Sequence, residues 1–457
     1  MSAMSTIVHW NPEDKGFWDR EGRRVAARNL WLSIVALTLA FAVWMVWSVV
    51  VVHLPAVGFR YSTNQLFWLA ALPGLCGATL RIFYAFAVPV FGGRRWTALS
   101  TATLLLPALG IGFAVQRPDT PYEVMVALAL LCGLGGGNFA SSMAHISFFY
   151  PKAHKGYALG MNAGLGNLGV SLVQLVVPLA TTSAVFGALA GAPQATTSGP
   201  LWLQNAGFIW VPFIAASALA AWFGMTDLAD AKGGFAEQAV IFTRKHNWLM
   251  CWLYLGTFGS FIGYSAGLPL LMTSQFPAAD ALHIVWLGPL IGALARPLGG
   301  WLADRLSGAR VTLWSFVAMA LGVLAVLQTL PEPGQSGHLA GFLGAFLVLF
   351  AAAGIGNGST FRMIPVIFLA ERQRAAEPLP AAQAQATRQG NQEAAAVLGF
   401  ASAIGAYGGF FIPKSYGTSI ALTGGAELAL YSFVLFYVTC IALTWWYYSR
   451  RHAPMPC

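Results

Sequence analysis

The sequence predicts an all-α membrane protein with twelve transmembrane helices arranged as two pseudo-symmetric halves of six. Three observations lead to this fold class. The chain of 457 residues is 57% hydrophobic and only 9% charged, whereas a soluble protein carries about 25% charged residues. It contains twelve apolar runs that are long enough to span a bilayer. Short motifs of the first half also recur in the second half.

The twelve runs set the predicted domain organisation. A helix of about twenty apolar residues crosses the ~30 Å hydrocarbon core. The runs lie near residues 31–52, 66–89, 97–115, 123–149, 157–181, 202–224, 247–272, 283–303, 311–330, 339–368, 395–416 and 427–448. We therefore predict a cytoplasmic N-terminal segment at 1–30, an N-terminal half at 31–224, a cytoplasmic linker at 225–246, a C-terminal half at 247–449 and a cytoplasmic tail at 450–457. The Ala-, Gln- and Pro-rich connection at 369–394 is expected to be a mobile tether.

The distribution of basic residues predicts the orientation of the helices. Of the 25 lysines and arginines, 19 lie on the side of both termini, three lie on the opposite side and three lie within apolar runs. Cytoplasmic loops carry an excess of basic residues, so we expect both termini in the cytoplasm. The net charge of +9 is then a topology signal, and no nucleic-acid partner is expected. The polar first thirty residues do not resemble a cleavable signal peptide.

Cysteines and histidines give no sign of a cofactor. The five cysteines form no CxxC pair, so neither a disulfide framework nor a metal site is indicated. A haem-carrying redox subunit is a rival of another class, but it needs paired histidines on facing helices. The eight histidines are scattered without repeated pairs. We expect a transporter rather than an enzyme, although a sensor that does not transport is also compatible with the sequence.

Two arginines inside apolar runs are the strongest functional signal. Arg81 follows Gly77 and Ala78, as Arg296 follows Gly292 and Ala293. The repeat continues downstream, where Gly93, Arg95, Thr97 and Ser100 recur as Gly308, Arg310, Thr312 and Ser315. A charge at the bilayer centre costs roughly 3 kcal/mol on the insertion scale. A symmetric pair of such charges predicts an anion site. The alternative for each arginine is a packing charge satisfied by main-chain carbonyls.

The fifth and eleventh runs share a glycine pattern. Gly160, Gly166 and Gly169 align with Gly399, Gly405 and Gly408 at one offset. Close helix packing through small residues explains most of these glycines. It does not explain Asn167, whose amide needs a partner away from water. That partner is either a substrate oxygen or a carbonyl of a neighbouring helix.

The segment from Gly300 to Arg310 resembles the loop signature of the major facilitator superfamily. Asp304 and Arg305 within it are interpreted as structural residues that tie helices together, with a role in gating as the alternative. The equivalent first-half segment, from Phe91 to Arg95, lacks the aspartate. Arg362 lies near the end of its run, where its side chain can reach the interface.

Several longer stretches resemble the nitrate/nitrite porters of that superfamily. The segment from Gly160 to Gly169 is similar to the family's nitrate signature, and the segment from Gly399 to Gly409 is similar to its second copy. Further similar stretches are 139–149, 222–225, 254–263 and 408–414. The resemblance implies the major facilitator fold, a bacterial inner-membrane location, and nitrate and nitrite as partners in a lipid bilayer. It also implies a monomer.

The resemblance also implies the pocket. Its anion is clamped between Arg81 and Arg296 and receives hydrogen bonds from Asn167 and Tyr254. The implied aromatic walls are Phe139 and Phe258, and the implied points of close main-chain approach are Gly136, Gly164 and Gly399. Gly166 and Gly405, from the shared glycine pattern, are interpreted as structural or gating residues. The chain departs from the pattern at His145, where the family leads us to expect asparagine. His145 is interpreted as a packing residue, with a proton-sensitive group as the alternative.

The acidic residues bear on energy coupling. All sixteen fall in predicted loops, termini or helix ends, whereas proton-driven porters usually keep a carboxylate within the membrane. We therefore predict exchange of nitrate for nitrite by alternating access. The alternative is a proton-coupled nitrate symporter with the same pocket, for which His145 is the candidate titratable group.

Overall fold

The computed structural model describes residues 6–229, 240–277, 282–331, 337–376 and 383–457. These residues form twelve helices that are long and apolar enough to cross a membrane, which confirms the predicted fold class. In chain order, α1 to α12 are Lys15–His53, Thr63–Tyr84, Gly93–Ala114, Tyr122–Phe149, Lys152–Thr181, Asn205–Gly224, Lys245–Gln275, Leu282–Leu306, Gly308–Leu327, Leu339–Ala376, Gln383–Thr423 and Glu427–Ser449.

Two small sheets accompany the helices. The strands β1 (Thr6–Ile7) and β4 (Asp227–Leu228) pair in parallel. The strands β2 (Gln194–Thr196) and β3 (Gly199–Leu201) pair antiparallel in the connection between α5 and α6. Because the strands have only two or three residues each, they fasten connecting segments and add no layer to the helical fold.

The chain forms two compact units. The first comprises Met1–Gly233 with Ala266–Leu270 and Asp280–Trp286, and the second comprises Gly234–Ser265, Leu271–Ala279 and Leu287–Cys457. Residues 230–239 of the predicted linker lie outside the described residues. Five of the acidic residues also lie outside them, namely Asp230, Glu237, Asp280, Glu332 and Glu377. The predicted boundaries of the two halves stay a prediction.

The first helix begins earlier than the apolar run that predicted it. Its charged first turns are amphipathic, because Trp18 and Ala26 are buried while the basic residues between them are exposed. Trp18 joins a cluster that includes Phe149 and Tyr150. The Glu13 carboxylate accepts a hydrogen bond from the Lys152 N–H at 2.9 Å, which suits the positive N-terminal end of α5.

In each unit, the third helix is capped by the segment that follows the sixth. The Asp227 carboxylate, just beyond α6, accepts a hydrogen bond from the Arg94 N–H near the start of α3 at 2.7 Å. It also pairs with the Arg94 guanidinium at 3.4 Å. In the second unit, a main-chain oxygen of Cys457, beyond α12, accepts from the Ala309 N–H near the start of α9 at 3.2 Å. Both contacts satisfy donors that an α-helix leaves unpaired at its N-terminus.

The prediction of a mobile tether at 369–394 is wrong for its described residues. The helix α10 continues to Ala376 and α11 begins at Gln383, while residues 377–382 lie outside the described residues. Alanine, glutamine, glutamate and arginine are strong helix formers, which explains why both helices extend beyond their apolar runs. Glu393, placed in a loop by the sequence, is a buried residue of α11 that pairs with Arg372 and, at 3.2 Å, with Arg244.

Candidate functional site

Arg81 is fully buried in the first unit and is held by aromatic rings. Its Nε donates a hydrogen bond to the main-chain oxygen of Gly136 on α4 at 2.8 Å. Its guanidinium carbon lies 4.6 Å from the ring centre of Phe139, 5.0 Å from that of Trp44 and 5.8 Å from that of Phe41. Aromatic faces stabilise a cation that has left water. The predicted residues Arg81, Gly136 and Phe139 therefore lie together.

Small residues on α2 and α4 make this arrangement possible. A Cβ atom on Gly77 would lie 2.6 Å from Trp44 Nε1 and 3.1 Å from the Cα atom of Gly136. The Trp44 indole donates to the main-chain oxygen of Pro73 at 2.7 Å. Any larger side chain at Gly77 would displace the indole from Arg81. The predicted close approach at Gly136 is thus an approach to α2 and Trp44.

Arg296 is buried in the second unit, with 7% of its surface exposed. Its Nη2 lies 3.5 Å from the Tyr254 hydroxyl oxygen, and its guanidinium carbon lies 5.3 Å from the ring centre of Phe361. Among the described residues Arg296 forms no salt bridge, and its buried Nη1 has no hydrogen-bond partner. A buried guanidinium N–H without a partner is costly. Arg296 therefore retains donor capacity for an anion.

A π-helical turn lies beside the predicted residues of α7. Tyr254 and Phe258 are both buried, and their ring centres lie 5.7 Å apart. The turn spans Leu255–Gly259, and such turns are frequent at functional sites because they shift the phase of the side chains that follow. A Cβ atom on Gly405 of α11 would lie 2.8 Å from Tyr254 Cδ1. Because Gly405 has no side chain, the Tyr254 ring can pack against it.

The repeated glycines of α5 and α11 serve two purposes. A Cβ atom on Gly169 would lie 2.0 Å from the Thr38 main-chain oxygen of α1, and one on Gly408 would lie 2.3 Å from Gly259 of α7. Gly166 similarly packs against the Leu37 side chain of α1. Two repeated glycines, Gly160 and Gly399, and the unrepeated Gly164 behave differently. In the described part of the chain, a Cβ atom would meet nothing within 4 Å at Gly160, Gly164 and Gly399.

Asn167 is buried on α5, with 1% of its surface exposed. Its amide oxygen has no hydrogen-bond partner among the residues that the structure describes. Both predicted partners, a substrate oxygen and a carbonyl of a neighbouring helix, would accept from the amide N–H, so the unpaired oxygen does not decide between them. Asn167 therefore keeps polar capacity on the helix that carries the open glycines Gly160 and Gly164.

His145 lies away from the arginine site of its unit. Its Nε2 is 3.4 Å from Asn29 Oδ1, and its ring packs edge-on against Phe149 at 4.9 Å. The main chain of Gly93 lies so close to the ring that a Cβ atom there would clash with it. Nine residues separate His145 from Gly136 on α4, which is roughly 13 Å along a helix axis. These contacts are those of a packing histidine.

The charged residues of the loop signature lie at the surface of the second unit. Asp304 of α8 pairs with Arg362 of α10 at 2.5 Å, and both side chains are about half exposed. The Arg305 guanidinium stacks over the Trp301 ring at 4.1 Å. The sequence anticipated a structural role for Asp304 but did not identify Arg362 as its partner. An exposed pair of this kind contributes at most about 1 kcal/mol.

Comparisons with known proteins identify the class. The sequence model of the Major Facilitator Superfamily matches residues 32–413. A solved bacterial homologue of the human lysosomal transporter Spinster, in an inward-facing and occupied conformation, superposes with a TM-score of 0.61. The match covers 91% of this chain and 95% of that chain at 14% sequence identity, and so bears on the fold alone. This chain is a multi-pass membrane protein of the superfamily.

Closer relatives narrow the class to one family. Nitrate/nitrite transporter NarU of Salmonella typhimurium is 51% identical over 447 residues, covering 97% of this chain and 96% of that protein. NarU of Escherichia coli is 49% identical over 444 residues, with the same coverage. The probable nitrate/nitrite antiporter NarK2 of Thermus thermophilus is 43% identical over 467 residues, covering 100% of this chain and 99% of that protein. The chain belongs to the nitrate/nitrite porter family of the major facilitator superfamily.

Proposed function

We propose that this protein exchanges nitrate for nitrite across the bacterial inner membrane by alternating access, with the anion clamped between Arg81 and Arg296. The relatives that are about half identical over nearly the whole chain are named nitrate/nitrite transporters. The observation that carries the proposal is a buried guanidinium at equivalent positions of the sequence repeat, Arg81 on α2 and Arg296 on α8. Burial of two charged side chains within transmembrane helices is costly in free energy, so we infer that both arginines serve the function.

The chemistry of the anion suits a guanidinium. Nitrate is planar and spreads one negative charge over three oxygens, and nitrite is its bent relative. A guanidinium offers a rigid fork of N–H donors and stays protonated at any working pH. Charge-assisted pairs of this kind are short and directional. The Nη1 group of Arg296, buried and without a partner among the described residues, supports a role as such a donor.

Asn167 and Tyr254 supply the neutral part of the proposed pocket. The Tyr254 hydroxyl lies 3.5 Å from Arg296 Nη2, so one anion oxygen could be reached by both groups. The Asn167 amide donates its N–H to another oxygen. Gly164 and Gly399 border open space, which lets an anion approach the main chain. Phe139 and Phe258 line the site as apolar walls.

Exchange follows from the charges in this proposal. Two like unit charges repel each other, and the free-energy cost rises as they approach in a medium of low dielectric constant. Closing the empty transporter would bring two guanidinium groups together at that cost. A bound monovalent anion offsets the repulsion, so the loaded protein closes and reopens on the other side. Return without an anion is slow, which makes transport an exchange.

Proton symport is the alternative mechanism that the experiment must distinguish from exchange. It requires a titratable group on the transport path, and His145 is the candidate that the sequence offers. The packing of His145 against Asn29, Gly93 and Phe149 favours a structural role. Exchange therefore accounts for the described residues more simply than symport does.

Proteoliposomes test the proposal directly. Purified protein is reconstituted with internal nitrite, internal nitrate or neither, and uptake of external nitrate is followed with and without an inward proton gradient. We expect uptake to require an internal anion and to ignore the gradient. Uptake into empty vesicles driven by the gradient would establish symport instead. The Arg81→Lys variant should lose exchange, whereas Arg95→Lys, which changes an exposed arginine of the same unit, should keep it.

A further inference from the structure

A small polar cavity lies between α1, α3 and α4 in the first unit. Its volume is about 10 Å³, and seven of its nine lining residues carry a hydroxyl or an amide. None of the nine residues is charged. A cavity of roughly 10–15 Å³ holds one water molecule, so nitrate and nitrite are too large for it. The cavity is therefore distinct from the proposed anion pocket.

Two polar atoms of the cavity wall need a partner. Thr101 is fully buried, and Asn138 is 6% exposed. Neither the Thr101 hydroxyl nor the Asn138 amide oxygen has a hydrogen-bond partner among the described residues. A buried polar group without a partner is costly, and native proteins satisfy the great majority of them. Thr101 of α3 and Asn138 of α4 line the same small cavity, so one small molecule within it can contact both.

Other hydroxyls around the cavity are already paired within the protein. The Ser33 and Ser142 hydroxyls lie 2.8 Å apart, and the Asn162 amide donates to Ser142 at 2.7 Å. The Ser141 hydroxyl donates to the Asn138 main-chain oxygen at 3.2 Å. The buried polar groups of the cavity wall that lack a hydrogen-bond partner among the described residues are therefore the Thr101 hydroxyl and the Asn138 amide oxygen.

The second unit fills the equivalent place differently. The offset that relates Thr97 to Thr312 and Ser100 to Ser315 places Phe316 at the position of Thr101. Phe316 is fully buried. The Thr312 hydroxyl meets the Ser359 hydroxyl directly at 2.7 Å. Where the second unit has a ring and a direct hydrogen bond, the first unit has a cavity and an unpaired hydroxyl.

We propose that the cavity is the binding site of one ordered water molecule that bridges α3 and α4. The water donates one hydrogen bond to Asn138 Oδ1 and accepts one from the Thr101 hydroxyl. The other hydroxyl oxygens that line the cavity, for example those of Thr97 and Ser100, are acceptors available for its second hydrogen. A sodium ion is the competing ligand of similar size. Water suits the site better, because the nine lining residues include no carboxylate to balance a positive charge.

The Thr101→Val variant gives a result whose sign decides the proposal. Valine keeps the shape of threonine and removes the hydroxyl. If a water bridges the helices, the substitution removes one of its partners, and the Tm of the purified protein falls. If the hydroxyl has no partner, its replacement by a methyl group removes a buried unsatisfied group, and the Tm is unchanged or rises. That second result would overturn the proposal.

Thr312→Val is the matched control, because it breaks the direct hydrogen bond to Ser359 and should lower the Tm in any case. Two further measurements do not depend on the variants. A high-resolution map of the unmodified protein should contain density between Thr101 and Asn138, and its absence would refute the water. Melting in sodium chloride and in choline chloride should give the same Tm. A rise in Tm that requires sodium would assign the site to the cation instead.

Discussion

The Arg296→Lys substitution tests the geometry of the proposed clamp while keeping its charge. Arg296 places Nη2 3.5 Å from the Tyr254 hydroxyl and leaves Nη1 without a partner among the described residues. Two separate donors on one rigid plane can therefore serve two oxygens of one anion. A lysine has one flexible ammonium group and cannot occupy both positions together.

The expected loss follows from the hydrogen bonds that disappear. A hydrogen bond that involves a charged group contributes about 1.5–3 kcal/mol. Each 1.4 kcal/mol corresponds to about a tenfold change in affinity. Arg296→Lys should therefore weaken the apparent affinity for nitrate by roughly 10- to 100-fold. Tyr254→Phe removes one neutral donor, worth about 0.5–1.5 kcal/mol, and should weaken it by roughly 2- to 10-fold.

The assay is nitrate counterflow in proteoliposomes at a series of external nitrate concentrations. Because Arg296 and Tyr254 lie within hydrogen-bonding reach of each other, the double variant should lose less than the sum of the two single losses. The amount of reconstituted protein is measured for each variant, so that a loss of insertion is not read as a loss of affinity. An Arg296→Lys variant with unchanged apparent affinity for nitrate and an unchanged transport rate would refute the clamp, because it would show that a positive charge alone is sufficient.

Three further outcomes follow from the described contacts. Asn167→Ala should raise the nitrate concentration needed for half-maximal counterflow by about 3- to 10-fold with normal expression, and unchanged affinity for both anions would remove it from the pocket. Glu393→Gln leaves Arg372 and Arg244 without their carboxylate, and should lower the free energy of unfolding by about 1.5–3 kcal/mol, as measured by denaturation in detergent. Gly169→Ala should reduce the yield of folded protein, because its Cβ atom would meet main chain at 2.0 Å. Gly164→Ala should give a normal yield of folded protein but impair transport. Equal yields of the Gly169→Ala and Gly164→Ala proteins would refute the assigned packing.

The number and order of the helices could be predicted from the sequence because a bilayer selects for a local property. About twenty apolar residues are visible without knowledge of the fold. The ends of α1, α10 and α11 could not be predicted in this way. Their first or last turns carry charged residues beyond the apolar runs, and their helical state depends on contacts distant in sequence. Trp18 packs near Tyr150, and Glu393 pairs with Arg244.

The sequence could single out Arg81 and Arg296 as candidate site residues, because burial of a charge in an apolar run is costly and therefore conspicuous, and the structure buries both side chains. The sequence could not single out their partners. Trp44 and Phe361 are aromatic residues in apolar helices, where such residues are common, and nothing in their spacing indicates which ring meets a guanidinium. The acceptor that each arginine meets, the Gly136 main-chain oxygen or the Tyr254 hydroxyl oxygen, is decided by the packing of α2 against α4 and of α8 near α7. Packing of this kind is not local in sequence.

Arg81 and Arg296 occupy equivalent positions in the sequence repeat, but they have different surroundings. The difference bears on the mechanism of transport. Arg81 is fully buried among three aromatic rings and bonds a main-chain oxygen through Nε. Arg296 contacts one ring and one hydroxyl at the limit of hydrogen bonding. A main-chain oxygen on a packed helix is a fixed partner, whereas a tyrosine hydroxyl can move with its side chain. We infer that Arg81 is a guanidinium donor of fixed orientation and that Arg296 adjusts to the bound anion. Discrimination between planar nitrate and bent nitrite should then depend more on Arg296 and Tyr254 than on Arg81.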